Sequence, residues 1–210
     1  MLSKVSKKPV LNIIAGPNGS GKTTITTQLL QHEWGENCTY INPDQIAKDV
    51  YGDWNSDDAV LKAAKYASSL RYRLLEEKKD IAFETVLSSK EKIDFIKMAK
   101  DKGYFVRIFF VCTDSPKINA ARIAGRFMEG GHSVPIEKIV SRYTKSLVNG
   151  IALTKIVDRM YFYDNSIENE TARLLFRISN GTVVKKYPGT IPRWAYNIYR
   201  QCEKKTTPNW

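Results

Sequence analysis

The stretch Ala15-Gly16-Pro17-Asn18-Gly19-Ser20-Gly21-Lys22-Thr23 decides the fold. Residues 16–23 fit the pattern G-x-x-x-x-G-K-[ST]. Glycines at this spacing let the chain pass through positive φ and bring its backbone against a ligand. Successive N–H groups then converge on one point, and the helix that follows adds its positive end. The flanks agree with this reading. Val10 to Ala15 is a short apolar run that reads as a buried strand, and a helix is expected over 22–32. A strand, this loop and a helix together make the Walker A phosphate cradle. It predicts that Gly16, Pro17, Asn18, Gly19, Ser20, Gly21, Lys22, Thr23 and Thr24 hold ATP. Lys22 is expected to reach the β- and γ-phosphates as a catalytic group, and the Thr23 hydroxyl to hold Mg²⁺.

Outward from the loop, strands and helices alternate. Strands are expected over 39–42, 81–86, 104–112 and 160–163. Pro43 suits the first turn of the helix after the second strand. Ser56 caps a long helix whose core stripe reads Val60, Ala63, Ala64, Ala67, Leu70, Leu74. A helix over 90–102 carries Ile93, Ile96 and Met98 and stops at Gly103. Ser115-Pro116 opens another, with Ile118, Ala121 and Phe127 inward, broken at Gly130-Gly131. The next spans 136–148 with Ile139, Tyr143 and Leu147 on one face. Asn180-Gly181, between two short apolar runs, signals a hairpin, and a helix over 192–203 ends the pattern. The expected fold is α/β: a P-loop kinase-like parallel sheet with helices on both faces and a C-terminal β-hairpin and helix. A single domain over 1–210 is expected, with its core about 10–166 and the hairpin and helix about 167–203.

Lys and Arg number 33 against 22 Asp and Glu, a formal charge of +11. That balance favours polyanions or phosphate-rich substrates, or is a solvated lysine surface. Part of the excess lies at the ends, in Lys4, Lys7, Lys8, Lys204 and Lys205. The three cysteines, Cys38, Cys112 and Cys202, suggest neither a disulfide framework nor a zinc site, and Cys112 reads as core. No run approaches the length of a membrane span, and no apolar stretch of signal-peptide kind follows the N-terminal lysines before the polar loop. A cytoplasmic protein is expected.

Two carboxylates fall where an open α/β sheet binds ligands, beyond the carboxyl ends of its strands. Asp44, in Asn42-Pro43-Asp44, could accept the proton of an attacking hydroxyl, or could simply sit in a helix first turn. Glu84 interrupts an apolar strand, where an unpaired charge would be costly. Asp114 could imitate a second carboxylate motif but fits a helix N-terminus better. Arg122 and Arg126 stand one turn apart, a repulsive spacing unless an anion lies beside them. With Arg142 beyond the glycine pair they could form a lid hinged at Gly130-Gly131, and His132 reads as a loop hydrogen-bonder.

In order and spacing these pieces resemble the zeta toxin family of P-loop kinases. The carriers are residues 15–23, Asn42-Pro43-Asp44, Glu84-Thr85, Ser115-Pro116-Lys117, Gly130-Gly131-His132 to Pro135, Arg142-Tyr143, Ser146-Leu147 and Tyr163-Asp164-Asn165-Ser166. The resemblance implies transfer of the ATP γ-phosphate to a sugar hydroxyl, typically of UDP-N-acetylglucosamine. It implies Asp44 as general base, Glu84 and Thr85 as substrate ligands, and Arg126 as a catalytic, ATP-binding arginine. His132 stands where better-studied members place a second arginine, and Arg142 is taken in its place. An antitoxin partner is implied as well. Against the small-molecule kinase stand a polynucleotide 5′-hydroxyl kinase, suggested by the charge, and a nucleotide-dependent switch without an acceptor. The carboxylate pair argues against the switch.

Overall fold

Residues 8–52, 56–128 and 134–203 are described by the computed structural model of the chain. The strands are β1 (Val10–Ala15), β2 (Thr39–Ile41), β3 (Ile81–Thr85), β4 (Phe105–Cys112), β5 (Arg159–Asp164), β6 (Arg173–Ser179) and β7 (Thr182–Lys186). The helices are α1 (Lys22–Leu30), α2 (Pro43–Tyr51), α3 (Asp57–Glu76), α4 (Lys90–Asp101), α5 (Pro116–Met128), α6 (Ile136–Leu153) and α7 (Arg193–Cys202). One seven-stranded sheet runs β2-β3-β1-β4-β5-β6-β7. The first five strands are parallel, and β6 and β7 join antiparallel as the expected hairpin. This is the expected α/β architecture.

The sheet is buried on both faces where the sequence is continuously apolar. On one face Phe83, Phe110, Phe162 and Phe176 pack beneath α3, α4, α6 and α7. Cys112 belongs to this core, and burial pushes its thiol up to about 12. On the other face a smaller cluster joins Ile14, Phe109, Val111 and Tyr161 to Ile25 and Leu29 of α1. Local chemistry sets the helix starts. The Asn42 side chain accepts from the N–H groups of Asp44 and Gln45, with Pro43 in the first turn. Ser56 accepts from the N–H of Ala59.

Three helix faces differ from the sequence reading. In α3 the buried line is Ala59, Ala63, Ala67, Arg71 and Leu74, while Val60 and Ala64 are exposed. Arg71 takes an inward place because its guanidinium lies 5.3 Å over the Phe83 ring and 3.4 Å from Glu91. In α5 the buried residues are Asn119 and Ile123, with Ala121 and Phe127 exposed. That helix packs against the phosphate loop, and a polar residue makes its closest contact there. Met98 of α4 is likewise exposed, and Phe95, Ile96 and Ala99 fill its inner face. Gly130, Gly131 and His132 lie outside the described residues, so the hinge expected there is not part of the fold described.

Candidate active site

Strand order places the phosphate loop at the centre. β1 lies between β3 and β4, so the chain leaves the sheet at the switch point, where ligands bind α/β folds. Gly16, Gly19 and Gly21 have φ of 148°, 74° and 88°. A Cβ on Gly16 would stand 2.0 Å from the Val111 carbonyl oxygen, so the loop and β4 meet backbone to backbone. The Gly16 N–H donates to the Thr85 carbonyl at 3.2 Å, joining the loop to the end of β3.

Two asparagines brace the loop from behind. Asn119 on α5 donates to the Asn18 carbonyl at 2.6 Å. Asn165, just past β5, donates to the Ser20 carbonyl at 2.9 Å, and its side chain fills the space a Cβ on Gly21 would need. Arg122 donates to the carbonyls of Asn165 and Ile167 at 2.9 and 3.3 Å. It holds that bracing segment in place, and it shares with Arg126 the cleft beside the loop.

Within this cradle Lys22 turns its ammonium back on the loop, donating to the Gly16 and Pro17 carbonyls at 3.0 and 2.9 Å. Burial pushes its pKa down to about 8; Glu84 opposes the shift, and the Arg126 charge adds to it. Ser20 Oγ is buried with no hydrogen-bond partner among the described residues. An orphan hydroxyl, a desolvated ammonium and converging glycines fit a polyphosphate. Thr23 and Thr24 are exposed in the first turn of α1.

Glu84 sits beside Lys22. Its Oε1 accepts from the Thr26 hydroxyl at 2.6 Å and from the Tyr40 hydroxyl at 3.2 Å. Burial, and next the Glu84 charge, raise the Tyr40 pKa above its ordinary value, so Tyr40 remains a donor. Neither donor was read from the sequence. Thr26 carried the fainter signal: it lies one turn after Lys22 and so on the same side of α1. Thr85 is buried, and its hydroxyl accepts from the Leu87 N–H at 3.0 Å.

Asp44 lies just past β2 in the exposed first turn of α2. Its carboxylate has no hydrogen bond or ion pair among the described residues, while Asn42 caps the helix. Asp44, Glu84 and the loop thus stand along one edge, past the carboxyl ends of β2, β3 and β1. Asp114 is exposed, and its N–H donates to Ser166 Oγ at 2.8 Å.

Two hollows flank the loop. A cleft of about 600 Å³ on the α5 side is lined by Gly19, Gly21, Arg126 and the segment 165–170. A second, of about 340 Å³, is lined by Ser88, Glu137, Lys138, Ser141, Arg142 and Lys145. Arg142 reaches the loop between them, donating to Asn18 Oδ1 at 3.4 Å.

A family model described as "Zeta toxin" matches residues 2–171. The chain belongs to the zeta toxin family. A Haemophilus influenzae protein, described as uncharacterized, is 28% identical over 130 residues, which is 61% of this chain and 88% of that protein. Among solved structures, one from the PezAT chromosomal toxin–antitoxin system of Streptococcus pneumoniae superposes with a TM-score of 0.62 at 21% identity. The match covers 80% of this chain and 72% of the other. The AvrRxo1-ORF1:-ORF2 complex with ATP gives 0.63 at 16% identity, covering 98% of this chain and 67% of the other. These likenesses show the fold: this zeta toxin relative has a P-loop kinase-like phosphotransferase fold. No helix among the described residues is long and apolar enough to cross a membrane.

Proposed function

We propose that this chain is a single-domain, ATP- and Mg²⁺-dependent kinase that phosphorylates a hydroxyl of a nucleotide sugar of the UDP-N-acetylglucosamine kind. One observation carries the reading: a carboxylate, Glu84, is held by two hydroxyl donors next to the phosphate loop's lysine. A switch protein has no use for it, whereas a kinase needs a fixed acceptor to orient a sugar hydroxyl. Gly16 to Thr24 would hold the triphosphate, with Arg126 and Arg142 closing on the transferring group. The larger cleft beside Arg126 suits the nucleoside. Thr23 would hold the metal, which when bound offsets charge on the β- and γ-phosphates.

Asp44, without another partner among the described residues, would take the proton of the acceptor hydroxyl. The acceptor oxygen would bond to the γ-phosphorus as the bond to ADP breaks, and Lys22 and the arginines would stabilise the charge on the transferring oxygens. Lys138, Arg142 and Lys145 in the smaller hollow favour an acceptor that carries its own phosphates. Thr85 would position the turn after Glu84. The kinship to toxin–antitoxin structures supports an antitoxin protein as partner.

The test offers [γ-³²P]ATP and Mg²⁺ with UDP-N-acetylglucosamine and a single-stranded oligonucleotide together. Label is expected on the sugar nucleotide, and Glu84→Ala should weaken that transfer while sparing ATP binding. Label on the oligonucleotide alone would replace this reading with a polynucleotide kinase.

A further inference from the structure

The sheet face that carries α1 is covered unevenly. Ile25 and Leu29 of α1 reach Ile14, Phe109, Val111 and Tyr161, and among the described residues no other helix contributes to that cluster. Farther along, β6 and β7 present half-buried and exposed side chains. Strand register sets a row of cations across this face. Arg107 of β4 pairs with Arg159 of β5, Tyr161 of β5 pairs with Arg177 of β6, and Arg177 pairs with Lys185 of β7. Paired residues share a face, as do residues two apart in one strand. Lys186 confirms the sidedness: it lies over Tyr199 of α7 on the opposite face, and Lys185 lies over Tyr187 on this one.

None of the four cations makes an ion pair among the described residues. The Nε atoms of Arg107, Arg159 and Arg177 are buried without hydrogen-bond partners among the described residues. Acids are scarce around them. Glu33 and Asp80 border a small hollow beside Arg107, and Asp158, next to Arg159, is taken by Lys100 at 2.6 Å and the Val106 N–H at 2.7 Å. Arg107 is further occupied by Asn12 at 3.0 Å and by the Trp34 ring 4.1 Å beneath it. Arg159, Arg177 and Lys185 therefore stand in line with half-buried Tyr163 and Tyr187 among them.

Adjacent like charges on neighbouring strands destabilise a sheet unless an anion joins them. Cations in a row, interleaved with aromatic rings, match the alternation of phosphate and base in a single strand of nucleic acid. We propose that the open face of β5–β7 binds single-stranded nucleic acid. This surface lies on a sheet face, not on the edge that carries the phosphate loop, so the strand is bound there without being phosphorylated.

Fluorescence anisotropy with a labelled oligouridylate tests it. Three phosphate contacts predict a slope of log K against log salt of about −2, or roughly 16-fold weaker binding between 50 and 200 mM salt. In Arg177→Gln/Lys185→Gln the loss over that range should shrink to about 3-fold. That variant should keep its melting temperature and its phosphotransferase activity. Lys185→Gln alone, at an exposed position on an edge strand, gives an intermediate slope if the double variant folds poorly. Lys22→Ala should bind the oligonucleotide as the parent does. An unchanged slope in the Gln variants would overturn the proposal. So would loss of binding in Lys22→Ala, or equal competition by polyglutamate of matched charge.

Discussion

Lys22 should make ATP binding take up protons. Without ligand its pKa stands at about 8, because burial strips water from the ammonium; the Glu84 charge only partly offsets that loss, and Arg126 adds a smaller repulsion. A triphosphate in the cradle replaces the lost water with anionic oxygens and returns the amine to its charged form. At pH 8 the unliganded amine is about half protonated, so binding should draw in about 0.5 proton; at pH 7 about 0.1, and at pH 9 about 0.9. Affinity should then fall by up to about tenfold per pH unit above 8, levelling off near the ordinary lysine value. The sign for stability is the opposite. The folded pKa lies below the unfolded one, so between about 8 and 10.5 the unfolded chain holds more protons, and the ligand-free fold gains stability as pH rises through that window. Isothermal titration calorimetry at pH 8, in buffers of different ionisation enthalpy, reads the uptake as the slope of heat against buffer enthalpy. Lys22→Met should abolish the slope. Zero uptake at pH 8 in the parent protein, or full uptake surviving in Lys22→Met, would refute the reasoning.

Asp44→Asn preserves the first turn of α2, since Asn42 supplies the cap. It should lower kcat by about 10²–10⁴ with ATP affinity nearly unchanged, and an equal loss in ATP binding measured by calorimetry would reassign the carboxylate to the metal. Gly21→Ala forces a side chain into φ 88° and against Asn165 Nδ2, 2.1 Å from the new Cβ. The left-handed backbone alone costs about 1–2 kcal/mol. A drop in Tm of about 2–8 °C is expected by differential scanning fluorimetry, partly recovered by adding Asn165→Gly, and an unchanged Tm would show that Asn165 does not brace the loop.

What could be read in advance follows from how far apart the deciding residues are. The phosphate loop is contiguous, and its glycines answer to backbone geometry within eight residues, so residues 16–23 announced it. The parallel sheet followed from the alternation of strands and helices, and the hairpin from Asn180-Gly181 at its turn. The bracing was hidden because it is assembled across the chain. Asn119 reaches Asn18 over 101 positions, and Asn165 reaches Ser20 over 145. The donors that fix Glu84 come from 58 and 44 positions away. From sequence Glu84 was an anomaly in need of partners; their identity depends on which helix crosses β3 and which strand pairs with it, and no periodicity encodes that.

The misread helix faces carry the same lesson in energetic form. A hydrophobic stripe predicts burial only where the surface it meets is apolar. α5 meets the phosphate loop, whose backbone carbonyls need donors, so Asn119 is buried and Phe127 is left 56% exposed. An apolar residue at position 119 would leave the Asn18 carbonyl without this donor, a cost of about 1–3 kcal/mol for a buried group. Burying Phe127 in its place would gain a similar amount, about 1.5–3 kcal/mol. Burial energy alone therefore does not choose between the two faces of α5. The shape of the loop does: a Cβ on Gly19 would stand only 2.7 Å from the Asn119 carbonyl oxygen, so α5 and the loop approach too closely here for a ring between them. The site's need for a backbone-lined cradle thus sets the orientation of the helix next to it, and apolar patterning yields wherever the helix touches the phosphate seat.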